Sequence, residues 1–235
     1  MFVSHGTLRL RKTLPRAIGP WCLDSRGFTE LSLNGRWTIT PREYVTATRR
    51  YISEVGNLLW ASQQDWMCEP WIIEKTGLSV AEHQRRTVAN YLDLAEMAPD
   101  VPWVPVLQGW EEDDYLRHVD QYTAAGIDLR AQQTVGIGSV CRRQGTLGAI
   151  RLLMRLAGEG IRLHGFGLKT LALRTLSPFL TSADSMAWSY TARRLKAKCG
   201  TPPTSCANHL HYAQTWREYV LSVMGTRPAQ LPLGV

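Results

Sequence analysis

The feature that most constrains this chain is an alternation. Short apolar runs recur between longer segments that carry the residues which start and stop helices. The strand-like runs are Trp21–Asp24, Asn57–Ser62, Trp103–Leu107, Thr134–Ser139, Arg162–Phe166 and Pro178–Ser182, with weaker ones near Phe2–Ser4 and Leu8–Arg11. Between them, Thr40-Pro41-Arg42-Glu43 combines a capping box with proline at the first helical position, which predicts a helix to about Val55. Ser79-Val80-Ala81-Glu82 opens another, to about Met97. Glu111–Ala125 and Thr146–Ala157 also read as helices, each followed by glycine. Strand and helix in alternation imply a parallel sheet whose faces are covered by helices.

The strand count approaches that of a compact (β/α)8 TIM barrel. The rival is a doubly wound open sheet, but no G-x-G-x-x-G turn follows a first strand. Under either architecture the site belongs at the carboxyl ends of the strands. Asp24, Asp65, Gln108, Ser139, His164 and Asp184 lie at or just past those ends.

Composition narrows the class. A chain of 235 residues with 44% hydrophobic side chains is ordinary for a globular protein and argues against disorder. No run reaches the roughly 18 to 20 apolar residues of a membrane span, and residues 1–12 lack the apolar stretch of a secretory signal. Five cysteines at scattered positions make a disulfide framework a poor reading, so a reducing cytoplasm is expected. The net charge of +7 suits a polyanionic partner, and much of it is arginine, whose planar guanidinium pairs with phosphate. Nine tryptophans can line a groove or fill the core.

From Cys199 onward the rhythm changes. A loop from Cys199 to Cys206 precedes a helix from about Ala207 to Met224 and a proline-rich tail. This divides the chain into an expected barrel domain, residues 1–198, and a C-terminal segment, residues 199–235. Cys199, Cys206, His209 and His211 form the one metal-like cluster, and a closed four-ligand zinc site there would be structural. The alternative is two free cysteines beside a helix start.

Six short segments, taken in order, resemble one family. Asp24-Ser25-Arg26-Gly27-Phe28 resembles the Asp-Ser-Gly-Gly-Phe/Tyr motif of the tRNA-guanine transglycosylases, with Arg26 in place of a glycine. Asp65-Trp-Met-Cys68-Glu-Pro70 is similar to the family's Asp-Glu-Cys-x-Pro stretch, and Val106-Leu107-Gln108-Gly109 to its Val-Gln-Gly strand end. Val135-Gly136-Ile137-Gly138-Ser139 resembles its Gly-Gly-Leu turn, His164-Gly165-Phe166-Gly167 its Met-Gly-Val-Gly segment, and Ser182-Ala183-Asp184-Ser185 its Asp-x-Phe-Asp-Cys. The short chain and the Gln-Asp-Trp-Met-Cys-Glu-Pro wording look most like the deazapurine-in-DNA (DpdA-like) transglycosylases of phages and bacteria.

The resemblance implies a transglycosylase that exchanges guanine in DNA for a 7-deazaguanine base, with no organic cofactor. It implies Asp184 as the nucleophile at C1′ and Asp24 as the second carboxylate, handling the proton of the base. Breaking an N-glycosidic bond passes through an oxocarbenium-like transition state, which a carboxylate can capture as in retaining glycosidases. Asp65 can accept from guanine's N1–H and 2-amino group, while Gln108 and the Gly138 N–H can donate to O6. Phe28 and His164 fall at the family's two stacking positions, and Ser139 is expected to face the 7-substituent. Arg193 and Arg194, in a basic run with Lys196 and Lys198, match arginines close to the nucleic-acid backbone. The family's structural zinc supports the Cys199/Cys206/His209/His211 cluster, although the spacing differs. Cys68 reads as a buried packing thiol. Three other readings remain open: the same exchange on tRNA, a non-enzymatic nucleic-acid-binding protein on the same barrel, and a generic barrel enzyme with a small acidic substrate.

Overall fold

The structure is a computed structural model that describes residues 1–140, 146–195 and 206–224. In chain order its elements are β1 (Phe2–Ser4), α1 (His5–Leu8), β2 (Trp21–Asp24), α2 (Gly27–Asn34), α3 (Pro41–Glu54), β3 (Leu58–Ser62), α4 (Pro70–Thr76) and α5 (Val80–Met97). There follow β4 (Trp103–Val104), β5 (Val106–Leu107), α6 (Glu112–Ala124), β6 (Val135–Ile137), α7 (Leu147–Gly158), β7 (Leu163–Gly165) and α8 (Thr170–Leu176). β8 (Ser182–Ala183), α9 (Ala187–Arg194) and α10 (Leu210–Met224) complete it.

The capping residues act as their sequence predicts. Thr40 Oγ1 accepts from the Glu43 N–H at 3.3 Å and Glu43 Oε2 accepts from the Thr40 N–H at 2.8 Å, closing the capping box of α3. Ser79 and Thr146 cap α5 and α7 with one bond each, accepting from the Glu82 and Ala149 N–H groups. The sequence reading passed over α4, although Pro70 at its first turn and Gly77, left-handed at its C-cap, are the usual start and stop pair.

All the strands are parallel and lie in sequence order, as two four-stranded sheets, β1-β2-β3-β4 and β5-β6-β7-β8. The junction is Pro105. It has no N–H to give the ladder, so the run Trp103–Leu107 pairs through its first half with β3 and through its second with β6. The expectation of an α/β chain with a parallel sheet is met. The described residues show two sheets meeting at Pro105 rather than a ladder closing β8 onto β1. Two strand assignments are corrected. Leu8–Arg11 is no strand, because Ser4 accepts from the Gly6 N–H and starts α1. Most of Pro178–Ser182 is no strand either: Ser177–Phe179 is a 3₁₀ turn around Pro178, and pairing begins only at Ser182.

The largest core lies between the strands and the helices, with smaller clusters around Leu31 and around Cys206, and tyrosines tie strands and helices together. Tyr44, Tyr51, Tyr115 and Tyr122 are fully or almost fully buried. The Tyr44 hydroxyl donates to the Ser62 carbonyl at 2.8 Å, Tyr115 to Gly138 at 2.8 Å and Tyr122 to Val106 at 3.1 Å. Each bond satisfies a carbonyl within a strand or at its carboxyl end while the ring fills the core, so α3 and α6 fix the edge that carries the polar residues. Val220 of α10 joins this same core. The expected domain boundary after residue 198 lies outside the described residues. Among them, no helix is long and apolar enough to cross a membrane.

Candidate active site

Asp24, Asp65, Glu69 and Asp184 come close enough for the charge of one to act on the next, on a chain that is basic overall. Asp24 is the last residue of β2 and half-buried. Burial raises its carboxyl above the ordinary value, and the negative charge of Asp184 adds to the rise. Hydrogen bonds from the Ser4 side chain and the Arg26 backbone act in the opposite direction. The charge of one aspartate singled out from the sequence thus reaches the other.

Asp184 follows β8, and its side chain is 15% exposed. Its Oδ1 accepts from the Gly167 N–H at 3.0 Å and lies 3.3 Å from His164 Nε2. The expected stacking role for His164 meets a different environment. The residue is 3% exposed and ringed by Phe2, Trp60 and Phe166 at 5.4, 4.9 and 4.9 Å. Its other nitrogen, Nδ1, lies 2.8 Å from Ser182 Oγ. Both nitrogens are engaged in the ring plane, and the ring is surrounded by other aromatic groups rather than by open space.

A second constellation sits on the far strands. Gln108 Nε2 donates to Asp65 Oδ2. Gln108 Oε1 and Glu69 Oε2 lie 2.7 and 2.9 Å from Ser139 Oγ, which can donate its one proton to either, and that oxygen accepts from the Cys68 N–H at 3.0 Å. Asp65 also accepts at its backbone carbonyl from Trp37 Nε1, at 3.2 Å. Burial pushes the Asp65 carboxyl up to about 7, reinforced by the charges of Asp24 and Glu69 and opposed by the Gln108 amide. Glu69, fully buried at the start of α4, was not singled out from the sequence. Its only local signal is its place beside Pro70, which reads as a helix start.

Gly138 is corrected in role. Its N–H donates to the Leu107 carbonyl at 3.0 Å, so it belongs to the β5–β6 ladder and is not directed at a base. What the position needs is the absence of a side chain, because a Cβ there would collide with the Gln108 amide. Ser139 is held at φ 58°, a left-handed conformation unusual for a serine, with its hydroxyl turned into the network. Arg26, the departure from the motif, sits at φ 76° where a glycine would be unstrained, and its Nε lies 3.6 Å from the buried Glu30.

Phe28 opens α2 and is 49% exposed, with its ring edge-on to Trp71 at 5.9 Å. It is not a core aromatic. Cys68 is buried, and burial holds its thiol far above the ordinary range, as befits a packing residue. Arg193 and Arg194 are exposed in the last turn of α9. Lys196, Lys198 and Cys199 lie outside the described residues. Cys206 is buried and its carbonyl accepts from the His209 N–H at 3.2 Å, while the His209 and His211 rings are 6.3 Å apart. Among the described residues, no three His, Cys, Asp or Glu side chains gather as a metal site.

The chain matches the family described as DpdA, DeoxyPurine in DNA protein A, over residues 1–229. It belongs to that family. Membership makes it a DNA-modifying transglycosylase of the deazapurine pathway, with DNA as its substrate. No match is found among curated proteins.

Proposed function

We propose that the chain exchanges guanine in DNA for a 7-deazaguanine base by double displacement at C1′. The observation that carries this reading is the Asp24–Asp184 pair, two carboxylates on different strand ends within electrostatic reach of one another. Asp184 Oδ2 attacks C1′ while the C1′–N9 bond breaks and its electron pair leaves with guanine. Asp24, whose raised affinity for protons suits a general acid, protonates the departing base and then takes the proton from the incoming one. N9 of the deazaguanine closes the cycle by displacing Asp184. The ester intermediate conserves the glycosidic bond energy, so the exchange needs no nucleotide hydrolysis.

Asp65 and Gln108 would read the guanine edge, Ser139 would lie toward the 7-substituent, and Phe28 would offer a face to the extruded base. The exposed Arg193 and Arg194 would hold phosphates. We further propose that the strands close into a (β/α)8 barrel, which the approach of the Phe2 ring on β1 to His164 on β7 supports. A structural zinc would draw on Cys206 and His209, which share one turn, together with His211 and Cys199; about one equivalent of zinc per chain by elemental analysis tests this. The working compartment would be the cytoplasm, where DNA and free base meet.

The test of the whole reading is nucleoside mass spectrometry of DNA and tRNA from cells that express the protein and are supplied with 7-deazaguanine base. Deazaguanine in DNA nucleosides is expected. Its appearance in tRNA alone would overturn the DNA reading and leave the two-aspartate chemistry standing.

A further inference from the structure

The ladder register creates an arrangement that none of the assigned roles uses. His164 lies opposite Ser182 across the β7–β8 pair, and Asp184, two residues on, projects from the same side of its strand. His164 Nδ1 is 2.8 Å from Ser182 Oγ, and Nε2 is 3.3 Å from Asp184 Oδ1. A carboxylate oxygen only accepts, so the nitrogen facing it must carry the hydrogen; in the neutral ring Nδ1 is then the acceptor, and the Ser182 hydroxyl donates to it. Edge-on contacts with Trp60 and Phe166, both at 4.9 Å, hold the ring in that plane. The Gly167 N–H, at 3.0 Å, is a second donor to the same Oδ1.

We propose that His164, with its tautomer set by Ser182, is a positioning residue for the nucleophile, pinning Asp184 Oδ1 so that Oδ2 is the oxygen presented to C1′. The inference rests on the reading of Asp184 as the nucleophile. In the first step the Oδ2–C1′ bond forms as the C1′–N9 bond breaks and its electron pair leaves with guanine. In the second, N9 of the incoming base bonds to C1′ and the Oδ2–C1′ electron pair returns to the carboxylate. Two donors on Oδ1 prevent the carboxylate's rotation in the first step and stay bonded to it as it departs in the second.

The experiment is single-turnover kinetics of the full chain with a guanine-containing DNA duplex and 7-deazaguanine, reading adduct formation, adduct release and melting temperature. His164→Leu should lower kcat on the order of 100-fold with little change in KM for DNA or base, the scale expected when a reacting group is misplaced. His164→Gln, whose amide N–H can reach the same oxygen, should recover about tenfold of that loss. Ser182→Ala, at an exposed strand position, should fold as the parent does and lose about five- to tenfold in kcat. A parent-like kcat in either Ser182→Ala or His164→Leu overturns the proposal, as does a His164→Gln rate no better than that of His164→Leu. Asp184→Ala separates the two ideas. If it retains exchange, the nucleophile assignment fails; if it is inactive while His164→Leu is parent-like, only the role of His164 fails.

Discussion

The two halves of the site solve opposite problems. Around Asp184 two nitrogens, from Gly167 and His164, converge on the same oxygen, Oδ1. Around Asp65 the polar groups satisfy one another: Gln108 holds Asp65, and Ser139 bridges Gln108 and Glu69. On the proposed roles, the reaction centre would be organised before substrate arrives, while the recognition cluster is closed on itself. A base bound there would exchange these internal bonds for its own. Each exchange is worth about 1 kcal/mol when a partner is regained and costs about 1–3 kcal/mol when a buried group is left unpaired. Selectivity would then come from the second half and rate from the first.

The sharpest way to break this division is Asp184→Ala, which should abolish exchange, on the order of 10⁴-fold or more, while DNA binding persists in a mobility-shift assay. A covalent DNA adduct trapped in the parent should disappear in the variant. Substantial exchange in Asp184→Ala would move the reaction centre elsewhere.

Asp65→Asn should act on the other half. It presents an amide donor to a donor edge, so affinity for guanine and deazaguanine should fall by about 1–3 kcal/mol, read by calorimetry with the free base. Equal affinity in parent and variant would remove Asp65 from base recognition. Gly138→Ala should give a smaller loss of base affinity, roughly tenfold, because the new methyl displaces the Gln108 amide from its two partners. A crystal structure of that variant with Gln108 unmoved would refute the mechanism.

The pH dependence sharpens the same contrast. With its carboxyl at about 7, Asp65 takes up protons as pH falls through neutrality and loses its ability to accept from the base. Base affinity should rise with pH from about 6 to 8, and Asp65→Asn should flatten that profile. For stability the sign is reversed. The folded carboxyl binds its proton more tightly than the unfolded chain's, whose ordinary value is 3.8, so Asp65 stabilises the fold below that value and the contribution is lost as pH rises from about 4 to about 7. A urea titration series over that range in parent and Asp65→Asn reads the difference.

The smallest expected effect lies outside both halves. Replacing Arg193 and Arg194 by alanine should weaken binding to every DNA sequence alike and reduce the salt slope by about 0.9 for each lost phosphate contact. An unchanged slope would mean that α9 does not touch the backbone.

Much of this was legible in the chain because its signals are local. Caps such as Thr40 with Glu43 satisfy orphan N–H groups within four residues, so the starts of α3, α5 and α7 were readable to a residue or two. Parallel strands followed by helices put the polar residues just past each run, and that predicted Asp24, Asp65, Gln108 and Asp184 at one edge. The strand near Pro178 was misread because apolar residues in a 3₁₀ turn and in a strand look alike over so short a run.

What the sequence by itself determined, then, is the order of elements and the chemical types at their carboxyl ends. Only the tertiary structure decided how those groups meet. The β7–β8 register sets His164 against Ser182 and Asp184, and a slip of one residue would turn them to opposite faces. Glu69 enters the cluster because α4 packs where its start meets Ser139, seventy residues away in the chain. Gly138 proved to matter for the room it leaves to Gln108, since its N–H is already held by the ladder. The proton affinity of Asp65 depends on burial and on the charges of Asp24 and Glu69, which are sums over neighbours in space; no spacing along the chain encodes them.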